Sequence, residues 1–219
     1  MITTELVLVR HGQAECNAVG VVGGPATCTG LTDLGRRQVH AAATRLAREH
    51  AKAPFTALYA GPRRRLQETG RLFANALGLD LTILDGLDGP IHGEADGRPW
   101  LDVKTDARGG PHAHPDQPWA PGSDTWNGYL HRAGRHLADL LEQHDGDRVL
   151  FAAHGETIQA LHSLLFETRP GLQTGLTVDH ASLTRWQRNT DRFDQRRWLM
   201  HSHNDTSHLA NLGADDATV

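Results

Sequence analysis

Two short apolar runs that each stop on a histidine and a glycine constrain this chain more than any other feature. Residues 5–9, aliphatic apart from Glu5, lead directly into Arg10-His11-Gly12, and Val149-Leu-Phe-Ala-Ala153 leads into His154-Gly155. A run this apolar reads as a strand buried on both faces of a parallel sheet. Ligands of open parallel sheets sit at the carboxyl ends of the strands, and Gly12 permits a turn whose backbone N–H groups face an anion. If the two strands are parallel neighbours, His11 and His154 meet in one pocket although 143 residues separate them.

The remaining pattern alternates strands with helices. Thr32 caps a helix that turns Val39, Ala42, Ala43, Leu46 and Ala47 inward and Arg36, Arg37, Arg45 and Arg48 toward solvent. Residues 55–60 read as the next strand. A helix then begins near Gly61-Pro-Arg-Arg-Arg65, with Leu66, Phe73 and Leu77 on its inner face and Arg63 and Arg64 as surface charges. From Asp124, with Ser123 as cap, Leu130, Ala133, Leu137, Leu140 and Leu141 mark a long helix that ends near the Asp145-Gly146 turn. Ile158, Leu161 and Leu165 mark another, with His162 at the edge of the core. Residues 181–187 and 196–201 form a closing hairpin turned at 189–191, and residues 204–209 a polar turn in which His208 is structural. The last ten residues are read as frayed.

Between Asp85 and Ser123 the pattern breaks down. This segment holds six prolines and seven glycines without sustained periodicity, the signature of a long binding loop or lid. His92, His112 and His114 lie within it, but no carboxylate or cysteine spacing accompanies them, so no metal site is assigned. We therefore expect one domain spanning 1–219 with an insertion at 85–123 above the site.

Charge and cysteine content narrow the function classes. A formal charge of −4 and a pI near 6.4 give no footprint for nucleic acid or an anionic membrane, while Arg10, Arg63, Arg64 and Arg65 concentrate near the strand ends. A positive pocket in a mildly acidic protein suits a small anionic substrate. No apolar run is long enough to span a membrane, and the first strand starts too early for a signal peptide. Cys16 and Cys28, both in the loop after His11, imply no disulfide framework. Together these features lead us to expect a cytoplasmic protein.

Arg10-His-Gly-Gln-Ala-Glu-Cys-Asn17, Leu31-Thr-Asp-Leu-Gly-Arg-Arg-Gln38, Arg65-Leu-Gln-Glu-Thr-Gly70 and His154-Gly155 follow one another in an order that resembles the histidine phosphatase superfamily, the phosphoglycerate mutase-like proteins. The resemblance extends over most of residues 5–209 and is closest to the small phosphatase branch. It implies a three-layer α/β/α sandwich with a mostly parallel central sheet. It also implies a metal-independent reaction, without cofactor, in which His11 takes the phosphoryl group from a small phosphorylated metabolite. Arg10, Arg65 and His154 would surround the phosphate, with Gly12, Asn17 and Gly155 as further binding positions.

Two positions depart from the family pattern. Gly61 stands where a serine is common, and Gly89 stands where a glutamate gives the leaving group its proton. Asp88 is the nearest substitute, with His92, Glu94 and Asp96 behind it. A proton donor must keep its proton until the alkoxide leaves, so burial under the insertion favours Asp88, and Arg10 and Arg65 oppose it. The missing glutamate leaves two alternatives to a phosphatase open: a phosphate-binding or regulatory protein of weak turnover, and a phosphomutase. Nothing in the sequence is dedicated to a second substrate hydroxyl, which favours the phosphatase.

Overall fold

The computed structural model describes residues 2–168, 175–210 and 212. Its centre is a six-stranded sheet with the order β3-β2-β4-β1-β5-β6. The strands are β1 (Ile2–Arg10), β2 (Ala57–Ala60), β3 (Leu81–Ile83), β4 (Arg148–Ala153), β5 (Leu183–Thr190) and β6 (Arg196–Asp205). β1, β2, β3 and β4 run parallel, whereas β5 pairs antiparallel with β1 and β6 antiparallel with β5.

Alternation along the central strands builds both faces of the core. Leu6, Leu8, Val149, Phe151 and Ala153 pack toward helices α5 (Trp126–Gln143) and α6 (Gly155–Leu165). Val7, Val9, Leu150 and Ala152 pack toward α2 (Asp33–His50) and α3 (Arg64–Leu77). Apolar side chains pointing both ways from β1 and β4 make a sandwich of three layers, as the unbroken runs required. The register Arg10↔Ala153 then sets His11 beside His154 at one edge of the sheet.

Several boundaries differ from the sequence reading. Thr32 does cap α2, accepting from the Gly35 N–H at 2.9 Å. The cap of α5, however, is Thr125, which accepts from Gly128, while Ser123 accepts from the Ala120 N–H within its own turn. The hairpin strands are longer than expected and turn at 191–195, β6 continuing to Asp205 before a 3-10 turn at Ser207–Leu209. His208 bonds the Ala181 carbonyl, a structural contact. Cys16 sits buried in a short helix, α1 (Glu15–Ala18). The terminal residues read as frayed lie, apart from 210 and 212, outside the described residues.

The largest correction concerns the insertion, which is folded. Beyond a 3-10 turn at Gly93–Ala95 it forms α4 (Trp100–Asp106), and Ala95, Val103, Trp119 and Ala120 close a small core around Val22. Asp96 accepts from the Gly24 and Ala26 N–H groups and from Thr27, and Val22 exchanges backbone bonds with Gly97 and Arg98. Its order is invisible in the segment alone because partners such as Val22, Gly24 and Thr27 lie in the loop after β1.

Gly12 matters here for close approach. A Cβ at Gly12 would lie 2.2 Å from the Gly35 carbonyl oxygen, and one at Gly35 would lie 2.0 Å from that of Gln13. The start of α2 is thus pressed directly on the backbone that carries His11. We expect Gly35→Ala to destabilise the fold by about 3 kcal/mol, whereas Gly134→Ala in α5, where a Cβ meets nothing within 4 Å, should stabilise by roughly 0.5–1 kcal/mol. Urea unfolding of both variants checks this contrast, and equal effects would contradict it.

Candidate active site

β1 and β4 deliver the two histidines, and α3 delivers the arginine between them. The His11 and His154 rings meet edge to face with centroids 5.4 Å apart, both buried. His11 Nδ1 lies 2.7 Å from the Gly12 carbonyl, which only accepts, so Nδ1 carries the proton and Nε2 is bare. Arg65 Nε donates to that bare Nε2 at 3.2 Å. Its Nη2 reaches His154 Nδ1 at 3.4 Å, which makes Nδ1 the acceptor and leaves the proton on Nε2. That Nε2–H is buried without a hydrogen-bond partner among the described residues, as is Arg10 Nε.

Both arginines are anchored by carbonyl groups. Arg10 Nη1 donates to Val178 at 2.5 Å, and Arg65 Nη1 donates to Gly23 at 2.9 Å. Burial pushes both imidazoles well below their ordinary range, and the Arg65 guanidinium lowers each further. Both rings therefore stay neutral at physiological pH. The N-termini of α3 and α6 begin at Arg64 and Gly155 beside these groups, adding partial positive charge.

Arg63, expected at the surface, is 3% exposed. Its Nε donates to Asp88 at 2.6 Å, Nη1 to Gly23 O at 2.8 Å and Nη2 to Pro90 O at 2.6 Å. It clamps the loop after β1 to segment 88–90, and with Arg65 it shares the Gly23 carbonyl. Arg64, in contrast, is exposed and paired with Glu68. Asp88 thus answers to Arg63 and to the Gly89 N–H, rather than to Arg10 or Arg65, with Oδ1 3.7 Å from His154 Nε2. Gly89 lies against His154, where a Cβ would come within 3.1 Å of the ring.

Asn17 reaches the opposite side of the pocket, its Oδ1 accepting from the Ala14 N–H at 3.1 Å and from His180 Nε2 at 3.2 Å. His180 was missed in the sequence because it belongs to no motif. It lies in the crossing to β5, with its ring 5.9 Å from that of His11. Glu156, one residue past Gly155, was also given no role. Burial raises its pKa, but its own backbone N–H and the charges of Arg10 and Arg65 outweigh that, so it stays ionised as a distant counter-charge.

Behind the pocket a directed chain of hydrogen bonds fixes the same crossing. Trp186 Nε1–H donates to His162 Nδ1 at 3.2 Å, so His162 Nε2–H must donate to His203 Nδ1 at 3.1 Å, and His203 Nε2–H to Thr177 O at 2.8 Å. Thr177 precedes the Val178 carbonyl that holds Arg10. His92 and His112 lie against tryptophans, His92 on Trp100 and Trp119 and His112 on Trp126. Among the described residues no group of three or more potential ligands could hold a metal ion, and no helix is long and apolar enough to cross a membrane.

A sequence model of the histidine phosphatase superfamily, branch 1, matches residues 6–205. A metal-independent phosphoserine phosphatase of Arabidopsis thaliana is 25% identical over 221 residues, covering 96% of this chain and 85% of its own. A putative phosphoserine phosphatase 2 of Hydrogenobacter thermophilus is 30% identical over 188 residues, covering 82% and 87%. A bifunctional protein of Mycobacterium tuberculosis is also 30% identical over 188 residues, but this chain covers 49% of it and so spans about half the length of that relative. A mycobacterial glucosyl-3-phosphoglycerate phosphatase, solved with VO3, superposes with a TM-score of 0.75 at 25% identity, covering 91% of this chain and 98% of that one.

The neutral imidazoles make stability depend on pH. Burial holds His11 and His154 well below 6.5, and His92, His162 and His180 at about 4. In the unfolded chain each takes up its proton near pH 6.5, so between about 6.5 and 4 the unfolded state binds more protons and stability is lost as the pH falls. Above about pH 7 the effect is absent. Urea midpoints should therefore be level from pH 8 to 7 and drop steadily from 6.5 to 4.5, and a flat profile in the lower range would contradict the burial assignment.

Proposed function

This chain belongs to the histidine phosphatase superfamily, branch 1, and we propose that it hydrolyses a small phosphate monoester through a phosphohistidine on His11, without a metal ion. The observation that carries this reading is the state of His11, whose Nε2 is bare and faces Arg65 while its Nδ1–H is committed to Gly12. The Nε2 lone pair attacks phosphorus in line and the bond from phosphorus to the ester oxygen breaks. Arg10, Arg65 and the His154 Nε2–H receive the charge spread over the equatorial oxygens, which is most of what a protein can do for a loose phosphoryl transition state. Gly12, Asn17 and Gly155 complete the cradle. Water then attacks the phosphohistidine, the P–N bond breaks, and its electron pair returns to Nε2.

Asp88 gives the leaving alkoxide its proton in this reading and later takes one from the attacking water. Its position beside His154 supports the role, since Arg63 and Gly89 engage only Oδ1 among the described residues. The same Arg63 contact, together with the glycine at position 89, favours a second reading in which the pocket binds phosphate but turns esters over slowly. The names of the relatives suggest O-phosphoserine and glucosyl-3-phosphoglycerate as first substrates to assay.

Rapid quench with a labelled monoester should trap acid-labile, base-stable phosphate on the protein, and His11→Ala should lower turnover by about 10³-fold or more. A fully active His11→Ala variant would refute the mechanism. Phosphate affinity measured by calorimetry without accompanying turnover would select the binding reading instead. Asp88→Asn should slow alkyl phosphates by about 10²–10⁴-fold and p-nitrophenyl phosphate much less, because that leaving group hardly needs a proton. Equal, small losses on both substrates would exclude Asp88 as the donor.

A further inference from the structure

Residues 177–181, which lead into β5, are held far more firmly than a surface loop requires. Thr177 O accepts from His203, Val178 O from Arg10, and Asp179 exchanges two bonds with Asn204. The Ala181 N–H is shared between the carbonyls of Arg10 and His11, at 3.0 and 3.2 Å. Ala181 itself has φ 56, a left-handed conformation that an alanine adopts only when its surroundings impose it. Among residues 179–181 it is His180 whose side chain comes up to His11, the rings 5.9 Å apart, while Asp179 is bound to Asn204 and Ala181 is fully buried.

The contact that His180 makes has a fixed sense. The Ala14 N–H can only donate, so the Asn17 atom facing it is the carbonyl oxygen. His180 Nε2 faces the same oxygen and must therefore carry the ring proton. Burial and the neighbouring Arg10 and Arg65 hold the His180 pKa at about 4, so the ring stays neutral and this donor persists at physiological pH. With both acceptor directions of Oδ1 taken, the Asn17 NH2 group is the end of the amide left without a partner among the described residues.

Resting on the reading that the pocket takes phosphate, we propose that His180 is a positioning residue: its Nε2–H locks the Asn17 amide so that the NH2 group, not the oxygen, faces the bound anion. A turned amide would present an oxygen to a phosphate oxygen, replacing an attraction with a repulsion. His180 does not touch the reacting atoms and acts through Asn17.

Calorimetry with inorganic phosphate tests this without turnover. His180→Leu should weaken binding about three- to tenfold, and His180→Gln, whose Nε2–H can occupy the place of the imidazole N–H, should restore most of it. Asn17→Ala should cost about tenfold, and adding His180→Leu to it should cost nothing more, since there is no amide left to orient. For a turned-over ester the loss from His180→Leu should appear in KM rather than kcat. Wild-type affinity in His180→Leu, an undiminished loss in the Asn17→Ala background, or a loss carried by kcat would each overturn the proposal. Wild-type phosphate binding without turnover would remove the phosphatase reading and leave this one intact, whereas no phosphate binding by the wild type would end both.

Discussion

A buried guanidinium, that of Arg65, and a half-buried one, that of Arg10, beside two imidazoles are the constraint around which this molecule is arranged. Arg10 and Arg65 are held by carbonyl oxygens and ring nitrogens, and among the described residues none of their hydrogen bonds goes to a carboxylate. Burying such charges unpaired is costly, and the protein offsets that cost only in part, with backbone dipoles and the distant Glu156. Neutral imidazoles are the other half of the solution, because a protonated ring between these arginines would add a third charge. What remains is fixed positive charge set between neutral rings, the feature on which the proposed phosphate binding rests.

The parts of this arrangement that depend on one strand or one helix could be read from the sequence. The apolar runs of β1 and β4 announced burial on both faces, and parallel pairing then compelled His11 and His154 to meet. The Thr32 cap was legible because a cap is local chemistry. Arg63 was not, since three consecutive arginines look alike until the path of another loop decides which of them is covered. The insertion was misread for the same reason: Ala95, Val103 and Trp119 acquire their meaning from Val22, more than 70 positions earlier. His180 carried no signal, for its partner Asn17 lies 163 residues away.

The two departures from the family pattern, Gly61 and Gly89, belong to one local geometry. A Cβ at Gly61 would fall 2.6 Å from the Leu87 carbonyl oxygen and as close to Leu66, while a Cβ at Gly89 would press on His154. Segment 87–89 passes close to both the start of α3 and the second histidine. Arg63 and Arg132 hold it there, through Asp88, Pro90 and the Gly89 carbonyl. Both glycines thus stand where segment 87–89 lies close to its neighbours, and the buried Arg63 spans the same region.

The chain from Trp186 through His162 and His203 to Thr177 gives the far edge of the sheet a hold on the pocket. Side chains on a strand alternate between faces, so a slip of β6 by one residue would carry His203 to the wrong side and leave the Thr177 carbonyl unclaimed. The pairing of β5 with β6 is irregular near Arg185, and it is this irregularity that settles which residues stand opposite one another. The outermost strand therefore works as a vernier: its alignment is carried through His203 to Thr177, the residue next to the carbonyl that grips Arg10.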